Sequence, residues 1–391
     1  MKYSKLFLFL SIITLSTFSA CSKKSVVTEI KEPLSLENKD SHKWYYFSLD
    51  NINPIDKPKN AAERPFLPWT EARRVSSAST ALNQNGENLS YALVNRLGLI
   101  TFNNSGFKLS KDNNLFNDRT SGNLIFLNDV PIFSVYKSAF FNDTITDPFY
   151  KSDSQNHLFL IQFDSSSGIF YPIINCNNLT KLINTEITDF YWDGLDWACS
   201  LKTITDTKNI FSYINFRPST SLLNLSPGNA DSCLEISESS LEEFKEKKTL
   251  KDISKAPQRI QKLLKGFSDK KNFYLELKKA GGVSPVKYQN SPSQKEDFLN
   301  AKGIIADSWS AILFEDGTLF LEGAIPGKHI LREGKTIALR LPKLPAGFIY
   351  SDFVISGSRL YAFWEEADFF NTGRAGMLEV NLENTLYSKI R

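Results

Sequence analysis

The fold of this chain is indicated by residues 312–320, which read Ile-Leu-Phe-Glu-Asp-Gly-Thr-Leu-Phe. Strand-forming apolar side chains flank the pair Asp316-Gly317, and an Asp-Gly pair can adopt the positive φ that a tight hairpin turn requires. The same pattern, two strand-like runs around a short polar turn, recurs at residues 124–133, 191–197 and 354–361. The sequence therefore predicts a series of antiparallel hairpins.

Strand-like runs continue through most of the chain. Alternating, β-branched or aromatic stretches occur at residues 89–102, 123–136, 157–174, 188–204, 210–216, 272–277, 308–322, 336–341 and 350–382. Several of the turn residues between them are spaced by about 40 residues, which is typical of a repeat of four strands. We therefore predict a mainly β protein made of repeated sheets.

Two turns resemble the inner-hairpin turns of β-propeller blades. They are Asp-Gly-Thr-Leu-Phe at 316–320 and Gly-Ser-Arg-Leu-Tyr at 357–361. The resemblance implies a β-propeller-like domain over residues 44–391 with about seven blades. No Gly-His/Trp-Asp, kelch or Asp-box signature assigns it to a particular propeller family. Because a closed arrangement removes exposed sheet edges, we expect residues 44–49 to pair in one sheet with residues 376–380.

The stretch 236–302 departs from this pattern. Ser240 and Glu243 fit a helix-capping box, and residues 258–267 place apolar side chains at helical spacing. A further helix is predicted to start at Ser293. We therefore expect a small helical insertion packed on the β body.

The first 20 residues have the three parts of a secretory signal peptide. Lys2 and Lys5 precede an apolar run at 6–18, which is too short to cross a hydrocarbon core of about 30 Å. The small residues before Cys21 predict cleavage there.

The sequence Phe18-Ser19-Ala20-Cys21 resembles the lipobox of bacterial lipoproteins. That resemblance implies acylation of Cys21 and a membrane anchor, although Phe18 stands where most lipoboxes carry Leu. Ser22, in place of the Asp that marks inner-membrane retention, favours the outer membrane. The polar residues 21–43 are interpreted as a flexible tether. The alternative is an ordinary signal peptide that is cleaved beside an incidental cysteine.

Composition excludes some functions and leaves the cysteine pairing open. The chain has 46 basic and 43 acidic residues and no concentrated run of basic residues, so nucleic acid is not an expected partner.

Besides Cys21 the chain has Cys176, Cys199 and Cys233. We predict a Cys176–Cys199 disulfide in an exported protein, the alternative being three unpaired, buried cysteines.

No sequence motif indicates an enzyme. His42, His157 and His329 are far apart, and zinc-ligand spacing, a nucleophile elbow, a phosphate loop and a dinucleotide-binding loop are missing from the sequence. We therefore predict neither a bound metal nor a cofactor, and a non-catalytic protein is favoured.

Two acidic-aromatic clusters are candidate ligand-binding sites. Rings that could stack on sugars alternate with carboxylates, and glycoside hydrolysis uses two carboxyl groups about 5 to 10 Å apart. The candidate residues are Trp192, Asp193, Asp196, Trp197, Trp364, Glu366 and Asp368. The alternative is that the rings fill sheet interfaces and the carboxylates occupy turns.

Together these features predict a membrane-anchored envelope lipoprotein that uses a propeller-like body as a protein-interaction scaffold or surface-binding module. An envelope or surface protein is the expected partner. The alternative function is carbohydrate binding or glycosidase-like activity at the two aromatic clusters.

Overall fold

The computed structural model describes residues 34–35, 42–59, 73–82, 88–116, 120–127, 130–136, 159–175, 185–192, 197–204, 209–217, 231–232, 235–239, 273–279, 283–289, 299–305, 309–323, 336–367 and 374–382. These residues are mainly β, with one four-residue helix among them. Chain positions 1–31 form a unit separate from 32–391, and every strand described below belongs to the second unit.

The strands alternate with short turns along the chain. In the first half they are β1 Leu34–Ser35, β2 His42–Phe47, β3 Ile52–Ile55, β4 Val75–Leu82, β5 Asn88–Val94, β6 Gly98–Asn103, β7 Gly106–Ser110, helix α1 Asn113–Phe116, β8 Thr120–Leu127, β9 Val130–Tyr136, β10 Phe159–Asp164, β11 Ile169–Asn175 and β12 Thr185–Trp192. In the second half they are β13 Trp197–Ile204, β14 Asn209–Arg217, β15 Asp231–Ser232, β16 Glu235–Ser239, β17 Phe273–Lys279, β18 Val283–Gln289, β19 Leu299–Ile305, β20 Trp309–Phe314, β21 Thr318–Gly323, β22 Thr336–Arg340, β23 Phe348–Ser356, β24 Arg359–Glu366 and β25 Ala375–Asn381.

The strands in the described part of the chain form five sheets. Sheet I has the order β4–β5–β6–β7, sheet II β15–β11–β10–β9–β8, and sheet III β12–β13–β14–β16. Sheet IV has the order β1–β22–β21–β20–β19–β17–β18, and sheet V β23–β24–β25–β2–β3. Parallel pairs occur between β1 and β22, β11 and β15, and β17 and β19. All other described pairs are antiparallel, as short hairpin connections require.

Successive sheets contact each other mainly through their first strands. β4 contacts β8, β8 contacts β12, β12 contacts β18, β19 contacts β23, and β23 contacts β4, so the series returns to sheet I. The hairpin β17–β18 also contacts β4 and β8. Small side chains permit this close approach in β4, where Ser77, Ala78, Ser79 and Thr80 are all buried. The hairpin β17–β18 therefore lies against the first strands of sheets I, II and III.

Sheet V joins the two ends of the second unit. β2 pairs antiparallel with β25, with Trp44 opposite Leu378, Tyr45 opposite Met377 and Tyr46 opposite Gly376. The predicted pairing of residues 44–49 with 376–380 is confirmed by this register. We call the β2–β25 pair the closing seam.

The apolar core lies between neighbouring sheets. Between sheets IV and V, Trp309, Leu321 and Phe353 are buried together with Trp364. A second cluster between sheets V and I contains Phe102 and Tyr361, whose ring centroids are 4.5 Å apart. A third, between sheets I and II, stacks aromatic side chains of β5, β8, β9 and β10 with the Phe116 side chain of α1. Each buried aromatic side chain removes a large apolar area from water, so these rings contribute strongly to the stability of the fold.

The hairpin turns agree with the sequence where they are described. Gly317 has a φ of 84° and Gly357 a φ of 57°, which are conformations that glycine adopts without a steric cost. The Asp316 carboxylate accepts a 2.9 Å hydrogen bond from the Thr318 amide, as in an Asx turn. The predicted hairpins at 312–320 and 354–361 are confirmed.

Three expectations need correction or lie beyond the described residues. Five sheets are described, so the expected seven blades are not confirmed. The described parts of 236–302 are the strands β16 to β19, whereas the predicted helices at 240–243, 258–267 and from Ser293 lie outside the described residues. The first described strand, β1, begins at Leu34 and pairs with β22, so the predicted tether 21–43 includes residues that are described as strands.

Candidate functional site

The first acidic-aromatic cluster lies at a hairpin. Trp192 ends β12, Trp197 begins β13, and the two residues are opposite each other in the register. Asp193 and Asp196 lie between them in the sequence and are outside the described residues. The register places the backbones of the two residues side by side, and a ligand site at this hairpin stays a prediction.

The second cluster does not present its tryptophan to a ligand. Trp364 in β24 is only 1% exposed and packs edge-to-face against Phe348, with ring centroids 5.6 Å apart. A Cβ atom on Gly376 would lie 2.4 Å from the Trp364 ring, which shows how closely β25 covers it. The ring therefore fills a sheet interface, as the alternative interpretation of this cluster expects.

Glu366 forms a buried ion pair with Arg374. Its carboxylate accepts hydrogen bonds of 2.9 Å from the Arg374 amide and from Arg374 Nε, and a third from Arg374 Nη2. The guanidinium lies 5.3 Å from the centroid of the Phe348 ring. Both side chains of the ion pair are about 95% buried, at 4% and 5% exposure. Asp368 lies outside the described residues, so of this cluster the structure places only a buried ring and a paired carboxylate.

The cysteine predictions lie largely outside the described residues. Cys21, Cys176 and Cys233 are not described, and Cys199 is in β13 opposite Ile214 and Phe190. The Cys176–Cys199 disulfide and the acylation of Cys21 remain predictions.

A charged cluster lies where sheets IV, V and I meet, and the sequence did not predict it. Burial raises the pKa of Glu365 in β24, while the positive charges of Arg74, before β4, and Lys302, in β19, act in the opposite direction. Asp352 in β23 is also close enough to raise this pKa. We call Arg74, Lys302, Asp352 and Glu365 the inner charge cluster.

Asp352 connects two sheets within this cluster. It is 5% exposed and accepts a 3.3 Å hydrogen bond from the Ala78 amide of β4 and a 2.8 Å bond from the Phe353 amide. The register of β23 shifts between Tyr350 and Asp352, as at a β-bulge. A bulge re-aims the side chains that follow it, and here it accompanies a carboxylate that faces sheet I.

A second polar cluster holds the closing seam. The Tyr45 hydroxyl donates a 3.0 Å hydrogen bond to Glu379 Oε2, and Arg359 forms an ion pair with the other oxygen of Glu379. Burial and the nearby Glu379 charge raise the pKa of Tyr361 to about 12, so this phenol is neutral. We call Tyr45, Arg359, Tyr361 and Glu379 the seam cluster.

The described part of the chain contains neither of two further kinds of feature, a metal-binding group of side chains and a membrane-crossing helix. Those residues contain no group of three or more His, Cys, Asp or Glu side chains arranged to hold a metal ion. They also contain no helix with both the length and the apolar character needed to cross a membrane.

The residues of both polar clusters were missed because their sequence signals are weak. Alternation along β24 correctly separates Glu365 from Trp364 and Glu366, but it does not show that three sheets converge on that carboxyl group. Arg74 and Lys302 come from strands that are distant in the sequence. The predicted pairing of residues 44–49 with 376–380 brought the two strands of the closing seam together, but it did not give the contact between the Tyr45 and Glu379 side chains.

The described residues thus define a mainly β protein of largely antiparallel sheets that contain several buried charged side chains. The chain belongs to the family of unknown function DUF8086, whose model matches residues 34–384. A protein of Treponema pallidum (strain Nichols) named an uncharacterized lipoprotein is 24% identical over 403 residues, covering 88% of this chain and 87% of that protein.

Two solved structures show distant likeness. A gluconolactonase from Xanthomonas campestris has a TM-score of 0.24 at 8% identity, covering 77% of this chain and 71% of that chain. Drosophila Semaphorin 2a has a TM-score of 0.23 at 11% identity, covering 79% of this chain and 54% of that chain. Both scores are low, and neither likeness carries a conclusion about fold or activity.

Proposed function

We propose that this chain is a lipid-anchored envelope lipoprotein whose β body is a non-catalytic platform for contacts with other proteins. The observation that carries the proposal is the position of the hairpin β17–β18, which contacts β4, β8 and β12. An enzyme or solute-binding protein of this architecture would use the space between these first strands. A hairpin placed there leaves the outer strands and turns as the surfaces for binding.

We further propose that the body is a β-propeller. The cyclic order of sheet contacts and the closing seam support this architecture, because a propeller leaves only short, protected edges. Each sheet contains at least four strands. In sheets I, II, III and V, the strand at one end of the sheet contacts the neighbouring sheets, and these strands are β4, β8, β12 and β23. The described residues supply five such sheets, whereas about seven blades were expected.

The lipid anchor is proposed on the lipobox-like sequence that ends at Cys21 and on the name of the Treponema pallidum relative. Because strand pairing starts at Leu34, the free tether is shorter than residues 21–43. Thirteen extended residues reach about 45 Å at most, which holds the body close to the membrane surface. Ser22 favours the outer membrane as the site of anchoring.

The carbohydrate alternative receives less support. It relied on two aromatic clusters, and the burial of Trp364 and the ion pair of Glu366 remove the described part of one. Trp192, Asp193, Asp196 and Trp197 are what remains of that alternative.

Crosslinking in intact cells tests the platform. A photoreactive amino acid is placed at Leu49 or at Ile169, each 48% exposed, in the native chain and in Cys21→Ser. We expect discrete protein crosslinks with the native chain that weaken when the anchor is lost, and none without irradiation. Hydrolysis of envelope glycans by the purified chain, or no crosslinks at either site, would count against the proposal.

A further inference from the structure

The outermost strands of sheets IV and II receive short strands from distant parts of the chain, and sheet V has a short fifth strand at its edge. Leu34–Ser35 adds in parallel to β22 of sheet IV, and Asp231–Ser232 adds in parallel to β11 of sheet II. In sheet V, β3 adds to β2 at the corresponding position. Two residues suffice in two of these cases, so the outer edges of these sheets accept short extended segments.

β7 is the outermost strand of sheet I, and among the described residues it carries no added strand. Its conformation is fixed by a tight turn in which Asn103 Oδ1 accepts hydrogen bonds from the Ser105 amide at 2.9 Å and the Gly106 amide at 3.0 Å. The edge is therefore formed before any partner arrives, which lowers the entropic cost of binding.

The side chains of β7 differ on its two faces. Phe107 and Leu109 are partly buried against the cluster between sheets V and I, and the Phe107 ring lies edge-to-face with Tyr45 at 5.0 Å. Lys108 lies between them in sequence and is exposed. A strand added beside β7 would thus meet a partly exposed aromatic surface on one face and a positive charge on the other.

We propose that β7 binds an extended segment of a partner protein by strand addition. The segment would place an apolar side chain beside Phe107 and Leu109 and an acidic side chain beside Lys108. Main-chain hydrogen bonds would provide affinity, and the alternate side chains would provide selectivity. This inference rests on the proposed platform function and names its binding edge and partner chemistry.

The other outer edge without an added strand in the described residues is β16, and it fits such a partner less well. Glu235 and Glu238 place two negative charges within its five residues. Like charges repel, so these carboxylates would disfavour an acidic segment, whereas Lys108 of β7 would attract one. β7 has one charge and an aromatic neighbour, so it is the edge that we assign.

The test uses the full Cys21→Ser chain and a displayed library of ten-residue peptides in which apolar residues alternate with acidic or hydroxyl-bearing ones. Affinity of the enriched peptides is measured by fluorescence anisotropy, and hydrogen exchange locates the bound site. We expect acidic residues to be enriched, protection of residues 106–110 on binding, and about tenfold weaker binding to Lys108→Glu. Lys111→Glu, an exposed lysine just beyond β7, is the matched control and should bind as the parent does.

Several results would overturn the proposal. These are failure to enrich any peptide, equal binding to Lys108→Glu, or protection confined to another strand. If Lys108→Glu self-associates in sedimentation while peptide affinity is unchanged, Lys108 only guards the edge against aggregation. Envelope crosslinks that persist when β7 is altered would preserve the platform function and reject β7 as its binding edge.

Discussion

Tyr45 and Glu379 are 334 positions apart in the sequence, yet the Tyr45 hydroxyl donates a 3.0 Å hydrogen bond to the Glu379 carboxylate. The contact joins the first long strand to the last. Because β2 pairs with both β25 and β3, loss of β2 would expose an edge of sheet V and uncover the apolar clusters on both of its faces. The closing seam therefore stabilises the whole unit.

The hydrogen bond at the seam should contribute measurably to stability. Tyr45→Phe removes the donor and leaves Glu379 paired only with Arg359, so we expect a loss of about 1 kcal/mol in the free energy of unfolding. Deletion of residues 44–49 should lower the single cooperative melting transition much further. Tyr171→Phe, at a partly buried tyrosine in β11, is the control. An unchanged transition in the deletion variant would mean that the ends do not hold the fold together.

Gly376 should tolerate no side chain. A Cβ atom there would lie 2.0 Å from the Tyr45 carbonyl oxygen and 2.4 Å from the Trp364 ring, so Gly376→Ala must displace β2 or the indole. We expect a loss of about 2 kcal/mol or more, measured by denaturant unfolding. Gly347→Ala is the comparison, because its φ of 85° is strained for alanine but no atom lies within 4 Å of the added Cβ. Equal losses in the two variants would contradict the steric explanation.

Glu365 should make stability fall as the pH rises. Burial raises its pKa above the ordinary value of 4.5, so the folded chain holds this proton more strongly than the unfolded chain does. Stability from this group is complete below the ordinary value and is lost as the pH rises through the raised one. Glu365→Gln should remove that decline and melt at or above the parent temperature at neutral pH.

Melting curves recorded between roughly pH 4 and 8 for Glu365→Gln and the parent check this prediction. A variant that melts well below the parent at neutral pH would show that the ionised carboxylate is needed to balance Arg74 and Lys302. The inner charge cluster would then be a stabilising ion network.

Breaking the ion pair between Glu366 and Arg374 should lower the free energy of unfolding strongly. Glu366→Gln leaves the Arg374 charge buried, and removing one partner of a buried pair typically costs about 3 to 5 kcal/mol. Arg340→Gln is the matched control, because its pair with Asp316 is 43% exposed on both sides and should contribute less than about 1 kcal/mol. Unfolding in urea measures both. Similar small losses in the two variants would mean that Glu366 is not held as the structure indicates.

Local patterns predicted the structure correctly wherever neighbouring residues decide it. Asp316-Gly317 and Gly357 gave their hairpins because a positive φ at a tight turn is a property of the residue itself. The strand-forming residues at 44–47 and 376–380 pair as expected, because an unpaired strand would leave its backbone groups exposed at a sheet edge. The burial of Trp364 could not be predicted from its neighbours in the sequence, since the residues that cover a strand face come from distant parts of the chain.

The β class, the hairpin turns, the lipobox-like segment and the strand character of both ends could be predicted from the sequence, because each depends on backbone preference or on residues close in the chain. The number of sheets that the described residues form, the position of β17–β18 among the first strands, and the convergence of Arg74, Lys302, Asp352 and Glu365 became visible only in the folded chain. Those features depend on burial and on electrostatic interactions between strands that are distant in the sequence. Such energies arise only when the sheets pack together, so no local pattern records them.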